Sequence, residues 1–247
     1  MLDRLSSQGV RAGMLASMTT HASPPATADG RSTRWDDHKA ERRERILDAA
    51  IDLVARDGGA VAVRDIADAA QVPRSVVYRI FRDRDDLDEQ LRTEIVVRLM
   101  DVMAPKLAPS GTVHEALTDA VTTYVDWVAG HPLLHQFLGT GSTKRRTTGS
   151  RVVTGTRTAI ARHLTTLLQT AAAKTGADPT VAEPVAFGVV GLIDGAVNRW
   201  VHTDPAERAA VDVLASLLTE SVWAVLQSQA TGLGIRLTRR TRVSALL

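Results

Sequence analysis

From about residue 37 onward, apolar and polar positions alternate along this chain with the period of a helix. Leu47, Ala50, Ile51 and Val54 recur at helical spacing, with Arg43, Glu44, Asp48 and Asp52 between them, so one face is apolar and the other solvated. Gly58-Gly59 ends this first helix, because glycine accepts the left-handed backbone that a helix end needs. Val63, Ile66, Ala67 and Ala70 predict a second, short helix of small residues suited to close packing. Pro73 opens a third, where a missing N–H does no harm, and Val77 and Phe81 point inward from it. Asp83 and Asp86 form a capping box ahead of a fourth helix with the stripe Leu87, Leu91, Ile95, Leu99.

The remainder also reads as helix, with no run of alternating strands and no internal repeat, so the expected class is all-α. Pro105 and Pro109 break the chain after the fourth helix. Val113, Leu117, Val121, Tyr124 and Val128 make the next stripe, ending near Gly130, and a short helix runs from His131-Pro132 through Leu138. Gly139 to Arg151 is a polar, basic loop containing Lys144-Arg145-Arg146. Ile160, Leu164, Leu167, Leu168 and Ala171 define a helix ended by Gly176, and two last helices run roughly from Pro179 to His202 and from Pro205 to Gln229. In the first of these, Gly188, Gly191 and Gly195 fall near one face and allow another helix to approach closely. In the second, Val211, Leu214, Leu218, Val222 and Val225 form a stripe that Val213 and Leu217 widen. So wide an apolar arc is buried from two sides, one facing the core and the other a partner subunit; a monomeric core is the alternative. The predicted interface is Gly188, Gly191, Gly195, Leu214, Leu218, Val222 and Val225.

Charge adds the chemistry. The third helix carries Arg74, Ser75, Tyr78, Arg79 and Arg82 on the side opposite Val77 and Phe81. From Arg74 to Arg84 four arginines stand against one acid, Asp83. Two short helices, a tight turn and a cationic third helix form the architecture of a helix-turn-helix that reads DNA through phosphates and base edges. The whole chain balances 30 basic against 28 acidic residues in 247, so the positive charge is local and a general nucleic-acid coat protein is excluded. Without cysteine there is no disulfide, thiol chemistry or zinc-thiolate site, which suits a reducing cytoplasm. No apolar run is expected to reach the length of a membrane span. His131 and His135 have a metal-binding spacing but no third ligand nearby, so no metal or cofactor is expected. Residues 1–36 are rich in Ser, Thr, Ala, Gly and Pro and read as a disordered extension; the sharper alternative is an arm reaching the minor groove through Arg31, Arg34 and Lys39. Residues 230–247 form a basic tail with Arg236, Arg239, Arg240 and Arg242, expected to be disordered, with DNA contact as the alternative.

The stretch from Arg42 to Leu87 resembles the tetracycline-repressor (TetR) family of transcription regulators. Ile46-Leu47, Ala49-Ala50, Gly58, Asp65-Ile66-Ala67, Ala70, Val72, Tyr78, Phe81 and Leu87 stand in the family's register without a gap. The departures cluster in the turn and the start of the third helix. Gln71 replaces the usual turn glycine, Pro73 the serine cap, Ser75-Val76 a glycine-threonine pair, and Arg84 a lysine. The resemblance implies DNA contact by Arg64, Arg74, Ser75, Val76, Tyr78, Arg79, Arg82 and Arg84, from a head spanning 37–86.

It further implies that residues 87–229 form a helical body that dimerises through its last two helices as a four-helix bundle and encloses a small-molecule pocket. The pocket candidates are Met100, Met103, Tyr124, Trp127, Phe137, Leu164, Phe187, Asp194 and Asn198. Asp194 and Asn198 lie four apart in an apolar run, where an unpaired carboxylate is costly. They orient a ligand, or pair with Arg199 or an arginine of another helix. The expected protein is a cytoplasmic homodimeric repressor that leaves a palindromic operator when a small apolar effector binds. The alternatives are an effector-independent architectural DNA-binding protein and a helical enzyme. The chain lacks a phosphate-binding glycine loop and a nucleophile elbow, which counts against the enzyme.

Overall fold

The computed structural model describes residues 30–59, 61–108, 110–139, 151–232 and 234–246, with side chains from His38 onward. Helix α1 (Gly30–Asp57) is longer than the apolar pattern suggested and begins inside the segment expected to be disordered. The predicted stripe Leu47, Ala50, Ile51 and Val54 is buried, joined by Ile46 and Leu53. It ends where Gly58 takes φ +84° and donates its N–H to the Val54 carbonyl. Helix α2 (Val63–Ala69) buries Ile66 and Ala67, and α3 (Arg74–Ile80) buries Val77. Pro73 is the N-cap of α3 rather than its first helical residue, and it supplies no side-chain bond there.

Helix α4 (Arg84–Leu107) starts on the predicted cap: the Asp86 N–H donates to Asp83 Oδ1 at 2.8 Å, and Asp86 Oδ2 accepts the Arg82 N–H at 3.0 Å. Its stripe Leu87, Leu91, Ile95 and Leu99 is buried throughout. Pro105 does not break this helix but sits within its last turn, where only the bond to a carbonyl one turn back is forfeited.

Helices α5 (Val113–Gly130), α6 (Pro132–Gly139), α7 (Arg151–Thr175), α8 (Ala182–Val201), α9 (Val211–Gly232) and α10 (Val243–Leu246) follow, with a 3-10 turn at Pro179–Val181. Residues 140–150, which hold the basic cluster Lys144-Arg145-Arg146, lie outside the described residues, as do residues 1–29. The last long helix starts at Val211, not Pro205. The Trp200 indole donates to the Ala209 carbonyl at 2.7 Å, and the Arg208 guanidinium lies 4.3 Å from the Trp200 ring centre, which fixes residues 202–210 as a turn.

The described residues divide into two compact units. One contains 30–98, 131–139 and 151–154, so the packing around the first three helices extends beyond the expected boundary at 86 to include most of α4 and all of α6. Here α6 packs on α1, and Arg43 donates to Gln90 at 2.8 Å. Arg92, buried on α4, lies 4.8 Å from the Phe137 ring centre and is paired with Glu89. The other unit contains 99–130 and 155–246, where α9 packs along α5 and both touch α8.

Residues 234–246 depart from the expected disordered tail. Leu237 is buried, Thr112 and Arg242 form an antiparallel bridge, and Val113 and Val243 donate to the Thr241 and Gly111 carbonyls. Arg239 pairs with Glu220 of α9 at 2.6 Å. The segment is a strap laid across the start of α5, because its backbone groups find partners there.

Candidate nucleic-acid interface

Helix α3 is held by one side and open on the other. Val77 and, just past its end, Phe81 are buried, which turns Arg74, Ser75, Tyr78 and Arg79 outward; all four are exposed. The outward side chains are partly organised before any ligand arrives. Arg74 Nη2 donates to the Tyr78 hydroxyl at 3.1 Å, with its guanidinium carbon 5.4 Å from the ring centre. The phenol thereby accepts from an arginine and keeps its own O–H to donate to a phosphate oxygen.

Arg82 follows, exposed, with its guanidinium 3.1 Å from Asp86. Burial works against the Asp86 charge, but the backbone and side-chain N–H groups of Arg82 and the Gln90 amide prevail and hold the carboxyl below its ordinary value. Arg82 is correspondingly raised, by its hydrogen bond to Asp86 first and the charge of that carboxylate second.

The other expected contacts are placed differently. Arg64 is exposed on α2 beside Asp68 at 3.7 Å, and Val76 is half-buried. Arg84 is turned away from the cationic face: it donates to Asp88 at 2.8 Å and to the Val61 carbonyl. Its charge is consumed in joining α4 to the start of α2. Burial raises the Asp88 carboxyl above its ordinary value, with Arg84 pulling the other way.

The turn ahead of α3 shows a feature that residue types alone did not reveal. Gln71 stands at φ +54°, the one positive-φ residue other than glycine among the described residues. Its N–H donates to the Asp68 carbonyl at 3.1 Å, and the Val72 N–H to the Ala67 carbonyl at 3.0 Å. This paired closure of a helix end normally places glycine where Gln71 stands.

The effector candidates differ in burial. Met100 and Met103 on α4 and Trp127 on α5 are buried, Leu164 is half-buried, and Phe187 and Asn198 are exposed. Phe137 belongs to the other packing unit, under Arg92. Tyr124 and Asp194 do come together, with Arg157 of α7 bonded to Asp194 at 2.7 Å. Asp194 is therefore paired with an arginine of another helix rather than with Arg199. Burial pushes its carboxyl up while Arg157 pulls it down. Burial also pushes the Tyr124 phenol well above its ordinary range, with the Asp194 charge adding to this and Arg157 opposing. His131 is exposed whereas His135 is buried, so the pair shares no open face.

On the last two helices the expected interface needs correcting. Leu214, Leu218 and Val222 are buried within their own chain, since this edge of α9 lies against α5 and α8. Of the expected α9 residues Val225 is exposed, at 36%, and it is Val213 and Leu217, the residues that widen the stripe, that stand out at 55% and 60%. Gly188, Gly191 and Gly195 are exposed with open space beside them, flanked by the exposed Phe187 and Leu192. The stretch Pro179–Val201 is also long and apolar enough to cross a membrane, contrary to expectation. Within it Asp194 is tied to Arg157, and Glu183 and Arg199 interrupt the apolar run.

A cationic third helix following a tight turn defines a helix-turn-helix transcription regulator. Residues 46–91 match the model of the bacterial regulatory proteins of the tetR family. An uncharacterized HTH-type transcriptional regulator of Mycobacterium tuberculosis is 30% identical over 199 residues, covering 80% of this chain and 82% of the relative. Solved structures share the fold at lower identity. A transcriptional regulator from Rhodococcus sp. RHA1 has TM-score 0.58 at 18% identity, over 75% of this chain and 96% of that one. A TetR-family regulator from Streptomyces coelicolor has 0.57 at 21%, over 76% and 84%. The regulator FadR of Bacillus subtilis, solved in complex with stearoyl-CoA, has 0.54 at 23%, over 72% and 96%. The chain belongs to the TetR family of DNA-binding transcriptional regulators.

Proposed function

We propose that this protein is a cytoplasmic homodimeric repressor that occupies a palindromic operator and leaves it when a small apolar effector binds its helical body. The observation that carries the reading is the outward face of α8 and α9. On α8, exposed Phe187 and Leu192 flank the open glycines Gly188, Gly191 and Gly195, and on α9 Val213 and Leu217 are exposed. Exposed apolar side chains beside glycines suit close helix packing against a second copy. Two-fold symmetry then supplies two α3 helices for two half-sites.

The paired Arg157 and Asp194, with Tyr124 beside them, are polar groups in an apolar body, suited to orienting an otherwise apolar ligand. Stearoyl-CoA, bound by the Bacillus subtilis neighbour, shares with such a ligand its long apolar acyl chain, while its CoA portion is charged. Release follows if the effector binds one conformation of the dimer better than the conformation that fits DNA. Native mass spectrometry of the protein as purified, alone and with duplex DNA, tests the reading. A dimer, two copies per duplex and a co-purifying small molecule whose addition releases the DNA are expected. A monomer at concentrations where DNA is bound would overturn the dimer and the palindrome together.

A further inference from the structure

We propose that Gln71 is a base-reading residue, with its side-chain amide contacting an adenine in the major groove beside the N-terminus of α3. The inference rests on the reading of α3 as the DNA-contacting helix. Gln71 occupies the left-handed backbone at φ +54°, where a residue with a Cβ is strained and glycine is not. The strain brings no compensation among the described residues. Its backbone N–H makes the same helix-closing bond that glycine would make. Its side chain is exposed and has no hydrogen-bond partner among the described residues. A long amide held in a costly conformation and directed to solvent therefore points to something outside the chain.

Position and chemistry define that partner. Gln71 lies three residues before Arg74, the first residue of α3, and the N-terminal residues of a reading helix are those that meet base edges. Phosphate oxygens only accept, and the outward arginines Arg74, Arg79 and Arg82 already meet that need. An amide both donates and accepts. Adenine presents N7 as acceptor and N6–H as donor, the complementary pair.

The test uses the full-length protein and duplexes that it enriches from a random pool, each base pair of the bound site then being substituted in turn. Gln71→Gly is expected to raise the thermal unfolding midpoint by about 2 °C by relieving the backbone. The same variant loses a preference for adenine of about tenfold at one position of each half-site and keeps the other preferences. Gln71→Glu keeps the side-chain length but removes the donor, and it loses the same preference. A stabilised Gln71→Gly variant with unchanged discrimination overturns the proposal. So does a loss that is uniform over all duplexes, which is the mark of a phosphate contact. Arg79→Ala separates the layers: if it abolishes binding while Gln71→Gly changes nothing, only Gln71 has been misassigned. If no duplex is enriched at all, the reading of α3 fails, and this proposal with it.

Discussion

The open face of α3 and the open faces of α8 and α9 are both surfaces that the described residues leave uncovered, and their chemistry is opposite. On α3 the exposed groups are guanidiniums, a hydroxyl and a phenol, all well hydrated in the free protein. On α9 they are Val213, Leu217 and Val225, which gain at roughly 25 cal/mol per Å² when water is removed. The first surface waits at little cost and attracts an anion over a distance set by ionic strength. The second carries a standing penalty until it is covered. Binding on α3 should therefore weaken steeply with salt, whereas association through α8 and α9 should not.

The largest expected effect comes from breaking the apolar side. Leu217 is 60% exposed, so Leu217→Arg leaves the fold of one chain intact. In a two-fold dimer it introduces two cations into an apolar contact, a cost of about 3 kcal/mol or more, roughly a hundredfold in the dimer constant. Sedimentation equilibrium is expected to show a monomer with an unchanged circular dichroism spectrum. DNA affinity should fall with it, because half-sites are then bound singly. A Leu217→Arg protein that remains dimeric places the interface elsewhere.

Breaking the cationic side touches one equilibrium rather than two and gives a differently shaped loss. Tyr78→Ala with Arg79→Ala should cost about 2–4 kcal/mol of DNA affinity and reduce the slope of log affinity against log salt by about 1 for each phosphate contact removed. The oligomeric state should be unaffected. Arg84→Ala is the informative control, because its guanidinium is committed to Asp88 and the Val61 carbonyl. It should lower stability by about 1–2 kcal/mol and leave the salt slope unchanged. If Arg84→Ala instead changes the slope as Arg79→Ala does, the inward placement does not persist on DNA.

These same residues show where a sequence is readable. Leu87, Leu91, Ile95 and Leu99 repeat every four residues and are all buried, because helical periodicity is a local signal with one physical cause. The cap at Asp83 and Asp86 is equally local. Arg84 was not readable, since its acceptor lies 23 positions upstream and an arginine beside a cationic helix looks the same facing in or out. The two edges of α9 could not be told apart for a related reason: both are apolar, and only the placement of α5 and α8 decides that Leu214, Leu218 and Val222 turn inward. The strap across the start of α5 depends on backbone pairing between residues far apart in the chain, which leaves no apolar period to detect. The strained backbone of Gln71 was legible only as the absence of a glycine.

The smallest effect sharpens the comparison through two carboxylates with opposite signs, one beside the cationic helix and one inside the body. The Asp86 carboxyl sits below its ordinary value because hydrogen bonds from Arg82 and Gln90 outweigh its burial. Its contribution to stability is complete above the unfolded-state value and is lost as pH falls through the lower folded-state value. The Asp194 carboxyl sits above its ordinary value because burial outweighs Arg157. The folded state then binds the extra proton between the unfolded and folded values, so stability falls as pH rises through that window and is recovered on acidification. Tyr124, raised and neutral, does not titrate there. After solvent screening each effect is less than about 1 kcal/mol. Urea unfolding between about pH 3 and 6 checks the signs. Asp86→Asn should be less stable than the unsubstituted protein near pH 6, with the gap closing as the medium becomes acid. Asp194→Asn should be the more stable of that pair near pH 6, again converging in acid. Two gaps of the same sign would mean that Arg157 outweighs burial at Asp194, and that the polar group in the body is held as tightly as the cap of α4.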